Sequence, residues 1–112
     1  MVKLNKEQIL EEVEKKYDDS AHDEQIYSLA DEAIDLAQQW IDENEDKIPE
    51  MTHMKLRLAI RKHVRSNMNF TDTEKSYFVP SFVWAWLAQQ VIMWIVRYII
   101  NNYIEDYSDN NK

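Results

Sequence analysis

Glycine does not occur anywhere in the 112 residues of this chain. An average chain of that length would hold about eight. The absence removes phosphate-cradling loops, the dinucleotide fingerprint and the nucleophile elbow, which all need backbone free of a Cβ. Tight hairpins with positive φ would have to rest on Asn or Asp. Helices joined by short turns are what such a composition favours. Cysteine is also absent. That excludes a disulfide framework, a thiolate nucleophile and any Cys-based metal site. The opening Met-Val-Lys-Leu-Asn-Lys-Glu lacks the apolar core of a signal peptide, so the expected address is the cytoplasm, or a virion if the protein is viral.

What the chain does have is charge, unevenly spread. It carries 21 acidic and 13 basic side chains, a net of −8. Residues 1–50 hold 16 acids and 5 bases, residues 51–70 hold 5 bases and no acid, and residues 71–112 hold 5 acids and 3 bases. The overall negative balance favours solubility and disfavours direct nucleic-acid binding. The length fits one domain, expected over residues 1–107, with a fraying polar tail at 108–112.

The other concentrated feature is the stretch from Pro80 to Tyr107, which holds three of the four Trp. No Gly and no further Pro interrupts it, and Pro80 suits a first helical turn. A helix of about 25 residues there would run roughly 37 Å. Advancing about 100° per residue from Phe82 gathers Gln90, Arg97, Asn101 and Glu105 into one narrow seam, with Trp86 and Trp94 inside it. Phe82, Ala85, Ile92, Ile95, Ile99 and Tyr103 take the other side, and Val83, Leu87, Val91 and Ile100 the flanks. A helix apolar over most of its girth demands burial in its own domain, in a subunit interface or in a membrane. The membrane option is weak. The unbroken run from Phe82 to Val96 is fifteen residues and includes Gln89 and Gln90, where a span wants about 20. Arg97 would then cost at least ~2.5 kcal/mol near a bilayer centre. The expectation is a buried core helix that also self-associates through Trp86, Gln90, Trp94, Arg97 and Asn101.

Three helices should precede it. Asn5 with Gln8 reads as an N-cap and Leu4 with Ile9 as a hydrophobic staple. Ile9, Leu10, Val13 and Tyr17 then form a narrow stripe ending near Asp18. Glu11–Lys15 and Glu12–Lys16 are i,i+4 pairs in the favourable order. Ser20 with Asp23 reads as the next cap. From there Ile26, Leu29, Ala30, Ala33, Ile34, Ala37, Trp40 and Ile41 keep 3–4 spacing to about Asp46, opposite Glu24, Asp31, Asp35, Asp42 and Asp46. Pro49 is placed to open a third helix. On it Leu56, Ala59, Ile60, His63 and Val64 share one face, Lys55, Arg57, Arg61, Lys62 and Arg65 spread over the other, and Met51, Met54 and Leu58 lie between. Asn67 to Asn69 should end it, and Thr71 with Glu74 forms a capping box before Pro80. The fold expected is all-α, a four-helix bundle-like domain with the long C-terminal helix at its centre.

Motifs that could carry chemistry are few. The basic run lacks the aromatic interleaving of single-strand binders. It is better matched to the acidic face of helix two, in the same chain or in a neighbour. Asp31, Asp35 and Asp42 on one side and Lys55, Arg57, Arg61 and Arg65 on the other are thus the candidate charged partner faces. Asp19-x-x-His22 and Glu50-x-x-His53 have the spacing of carboxylate-bridged metal bundles. Both fall at helix starts, where carboxylates are favoured anyway, and no acid lies on an apolar face to complete a site. No metal, cofactor or catalytic residue is therefore expected. His63 reads as a hydrogen-bonded core histidine, with a pH-sensitive contact as the alternative. Trp84, Trp86 and Trp94 are either core or binding anchors.

The stretch Ile26-Tyr-Ser-Leu-Ala-Asp-Glu-Ala-Ile-Asp35 resembles the second helix of small acidic phage antirestriction proteins that mimic DNA. Those proteins also end in a long helix involved in dimerisation. The resemblance covers about ten residues, and the basic segment 51–70 departs from the continuous negative charge a DNA mimic presents. It implies an acidic inhibitor of a host nucleic-acid-binding protein. The residues themselves imply first a non-enzymatic assembly or adaptor protein, homo-oligomeric and with protein partners, a structural component of a virus or phage being one setting for it. A small membrane-active protein is the third reading.

Overall fold

A computed structural model describes residues 2–17, 23–68 and 81–104. The chain is all-α, with four helices and no extended strand among the described residues: α1 (Lys6–Lys16), α2 (Asp23–Asn44), α3 (His53–Asn67) and α4 (Ser81–Ile99). A 3-10 segment, Glu45–Glu50, follows α2, and α4 widens into a π turn over Ile100–Ile104. The Ser20 cap, the Thr71–Glu74 box, the Asp19/His22 pair, Glu105 and the tail from Ser108 lie outside the described residues. So do the side chains of Phe82, Val83, Trp84 and Ala85.

The start of α1 follows its capping chemistry. Asn5 Oδ1 accepts from the Gln8 amide at 3.1 Å, and Ile9, Leu10 and Val13 are buried. Lys15 pairs with Glu11 at 3.7 Å and with Glu12 at 3.4 Å, so Glu12 takes Lys15 rather than the expected Lys16. The helix stops at Lys16, two residues short of expectation. On α2 the apolar stripe is buried as its spacing requires, with Trp40 packed partly against the core.

The third helix starts later than Pro49. Pro49 sits inside the 3-10 segment, and Ile48 beside it is buried. Thr52 is the cap: its hydroxyl accepts from the Lys55 amide at 3.2 Å, and its carbonyl takes the first helical bond, from the Leu56 amide. A hydroxyl acceptor satisfies an orphan N–H, which a proline at the first turn only avoids presenting.

Helix ends in this glycine-free chain use no positive-φ residue among the described positions. Asn44 and Asn67 are the last residues of α2 and α3. Their side-chain amides turn back onto the carbonyls of Trp40 and His63, four residues earlier. Asn102 does the same to Tyr98 in the π turn. Such local bonds compete with continued helix.

Both α2 and α4 pack against all three other helices. The core draws on every helix, from Ile9 and Val13 through Ile34 and Ile41, Leu56 and Ile60, to Ile92, Ile95, Ile99 and Ile104. Contacts along α1 fix its direction. Residues near its start reach Asp31, Asp35 and Gln38 on α2 and Tyr103 after α4, while Tyr17 at its end reaches Gln90. The extended residues before α1 continue that line. Gln38 Oε1 accepts from the Leu4 amide, Gln38 Nε2 donates to the Val2 carbonyl, and Glu45 accepts from the Val2 amide. Val2 is buried as a result. No described helix is long and apolar enough to cross a membrane.

Candidate interaction surface

The described face of α4 divides into three. Ala88, Val91, Ile92, Ile95, Val96 and Ile99 enter the core. Trp94 turns toward α1, where its ring stacks on Tyr98 at 5.2 Å and meets the edge of Tyr17 at 6.5 Å. The third part is wet. Trp86, Gln89, Arg97 and Asn101 are exposed, Gln90 is half-buried, and Trp86 keeps 63% of its surface. The seam expected from periodicity is therefore split. Trp94 is held by neighbours in its own chain, while Trp86, Gln90, Arg97 and Asn101 form one outward stripe.

Beside that stripe lies a groove between α3 and α4, of about 180 Å³. Its apolar lining is Met54, Leu58, Met93 and Val96; Arg57, Arg61 and Arg97 complete it. A site for a drug-sized ligand usually offers 300–1,000 Å³ or so, so this groove suits a side chain of a partner better than a whole metabolite. Leu58, Arg61, Lys62, Arg65 and Ser66 line a neighbouring recess on α3. Among the described residues Lys55, Arg57, Arg61, Arg65 and Arg97 form no ion pair.

The acidic face of α2 does not meet those bases. Lys6 of α1 takes both Asp31 and Asp35, each at 2.9 Å, and Asp42 accepts from Gln38 at 2.8 Å. Hydrogen bonding to Asp31 first, and to Asp35, raises the Lys6 pKa above its ordinary 10.5. Of the two settings expected for the basic face of α3, the acidic face of α2 in the same chain is thus corrected, and that of a neighbouring chain is the other. The helices pack through buried faces that carry no acid. At their margin His63 Nε2 meets Gln39 Oε1 at 3.2 Å. Asn67 Nδ2 lies 3.4 Å from Nδ1. His63 is hydrogen-bonded as expected, but half-buried rather than in the core.

Other candidates are placed as follows. His53 follows Thr52 at the start of α3, and its Nε2 is buried with no hydrogen-bond partner among the described residues. No three His, Asp or Glu side chains converge as a metal-binding group among them either. Burial raises the pKa of Tyr17 and of Tyr98, where nearby Glu12 adds to the effect.

The surface brings forward three exposed residues: Met54 and Leu58, expected between the apolar and basic faces of the third helix, and Tyr27, to which sequence reasoning gave no role. Each stands outside its helix's 3–4 apolar stripe, and that displacement is the signal that could have found them. Comparison of the chain with family models, with curated proteins and with solved structures produced no match.

Proposed function

We propose that this chain is a non-enzymatic helical assembly or adaptor protein that self-associates through the outward stripe of α4, in the cytoplasm or in a virion. The observation that carries the reading is Trp86, an indole 63% exposed on a helix whose opposite face enters the core. Tryptophan and arginine are the residues most enriched among interface anchors. Trp86 and Arg97 share the stripe with Gln90 and Asn101, which supply polar contacts at its margin. Trp94, clamped between Tyr17 and Tyr98, stiffens the helix beside them.

Size-exclusion chromatography with light scattering tests the proposal. At tens of micromolar the wild type should run above the mass of one chain, and Trp86→Ala should lower that mass. A strict monomer throughout overturns it.

A second reading, an acidic inhibitor that imitates DNA, draws on the exposed Glu24, Asp35 and Asp42 of α2. Lys6 offsets part of that charge, and the exposed bases of α3 oppose it. Capture of a DNA-binding enzyme that is lost when Asp31, Asp35 and Asp42 become Asn would favour this second reading.

A further inference from the structure

Four large hydrophobic side chains stand exposed among the described residues: Tyr27, Met54, Leu58 and Trp86. They are divided between surfaces of opposite sign. Met54 and Leu58 line the groove that Arg57, Arg61 and Arg97 complete. Trp86 lies on the stripe of α4 that includes Arg97. Tyr27 alone belongs to the acidic helix. It keeps 48% of its surface, and Glu24 and Asp31 stand three residues before and four after it, its neighbours on an α-helical surface.

We propose that the α3–α4 groove receives the Tyr27-bearing acidic face of α2 from a second copy of this chain, making the contact head-to-tail. The inference rests on the self-association reading and deepens it, because it names the surface that the second copy brings.

Three arguments lead there. First, the groove cannot serve as its own partner. A two-fold contact through it would set Arg57, Arg61 and Arg97 against their own copies, and like charges brought together across an interface are strongly disfavoured. Second, the two surfaces cannot meet within one chain. Lys6 holds Asp31 and Asp35 on the α1 side of α2, whereas the groove opens between α3 and α4. Third, the charges are complementary. A phenol ring can enter a narrow apolar slot whose arginines lie over its face or meet the flanking carboxylates. Glu24 is exposed and forms no ion pair among the described residues.

A head-to-tail contact leaves every chain with one filled and one open surface. Association therefore continues until a ring closes or a filament grows.

The test uses the full chain and two surface variants, with circular dichroism confirming helical content. Arg57→Glu/Arg61→Glu disables the groove and keeps the acidic face. Glu24→Lys/Tyr27→Ala disables the face and keeps the groove. Each variant alone should self-associate at least ten-fold more weakly than wild type by analytical ultracentrifugation. Mixed one to one, they should form a complex of two chains and stop there, since only one intact groove and one intact face remain to pair. About 0.5 M salt should weaken both this complex and the wild-type assembly. A mixture that stays monomeric overturns the proposal. So does a pair of variants that each assemble like wild type, an outcome that leaves self-association through Trp86 standing. A monomeric wild type removes both readings. Binding of a fluorescein-labelled duplex oligonucleotide through Arg57 and Arg61 would assign the groove to phosphate and overturn the groove proposal alone.

Discussion

The hydroxyl of Tyr17 donates a 3.1 Å hydrogen bond to the backbone carbonyl of Gln90, joining the last turn of α1 to the middle of α4 across 73 residues of sequence. The same ring meets Trp94 edge-on. One side chain thus ties the end of α1 to α4 and helps to turn Trp94 toward α1. The outward stripe of α4 keeps Trp86 and loses Trp94 for this reason.

Tyr17→Phe should therefore cost about 1 kcal/mol of stability, the net value of one hydrogen bond. Tyr17→Ala should cost more, because the ring contact with Trp94 goes as well. Urea denaturation of both variants gives the comparison. Equal losses would mean that the ring contact with Trp94 contributes nothing.

Ile92 is 1% exposed on the core face of α4, whereas Trp86 on the same helix is 63% exposed. Ile92→Ala should lower stability by about 2–5 kcal/mol. Trp86→Ala should stay within about 0.5 kcal/mol of wild type under conditions where the chain is monomeric. Guanidinium unfolding at low concentration separates the two. A large loss at Trp86 would place it in the core.

Alkaline pH should destabilise the fold. The pKa of Lys6 is raised above its ordinary 10.5 by Asp31 and Asp35, and that of Tyr17 above 10.0 by burial. A folded value above the unfolded one gives stability that is fully present below the unfolded value and lost as pH rises through the folded value. The Lys6 side chain is 39% exposed, so solvent screening keeps its share below about 1 kcal/mol. The difference in stability between wild type and Lys6→Met should be constant from about pH 8 to 10 and shrink above that range. A gap that widens with pH would reverse the sign argued here.

The two caps should be separable. Asn5→Ala removes the acceptor for the Gln8 amide, and Thr52→Ala the acceptor for the Lys55 amide. Each should cost about 1 kcal/mol, measured by thermal denaturation. If Thr52→Ala is silent while changes at Pro49 are costly, α3 begins where proline placement suggested.

Much of the architecture was legible in advance because it depends on local periodicity. The stripe from Ile26 to Ile41 needs only a 3.6-residue repeat to declare both a helix and its buried face. The Asn5 cap needs only a donor three residues away. The absence of glycine favours helices joined by short turns for the same local reason. The start of α3 was misplaced because Pro49 and Thr52 are both acceptable local signals, and burial of Ile48 decided between them.

Amino-acid order alone determined the helices, their apolar faces and the separation of acidic from basic segments, since each follows from residues within one or two turns. Tertiary packing decided the rest, because it depends on partners far apart in sequence. Lys6 took Asp31 and Asp35 away from the arginines of α3. Gln38 pinned the residues before α1, and Tyr17 drew Trp94 inward. What those pairings left uncovered — Trp86, Met54, Leu58 and Tyr27 between opposite charges — is the surface on which the proposed assembly depends.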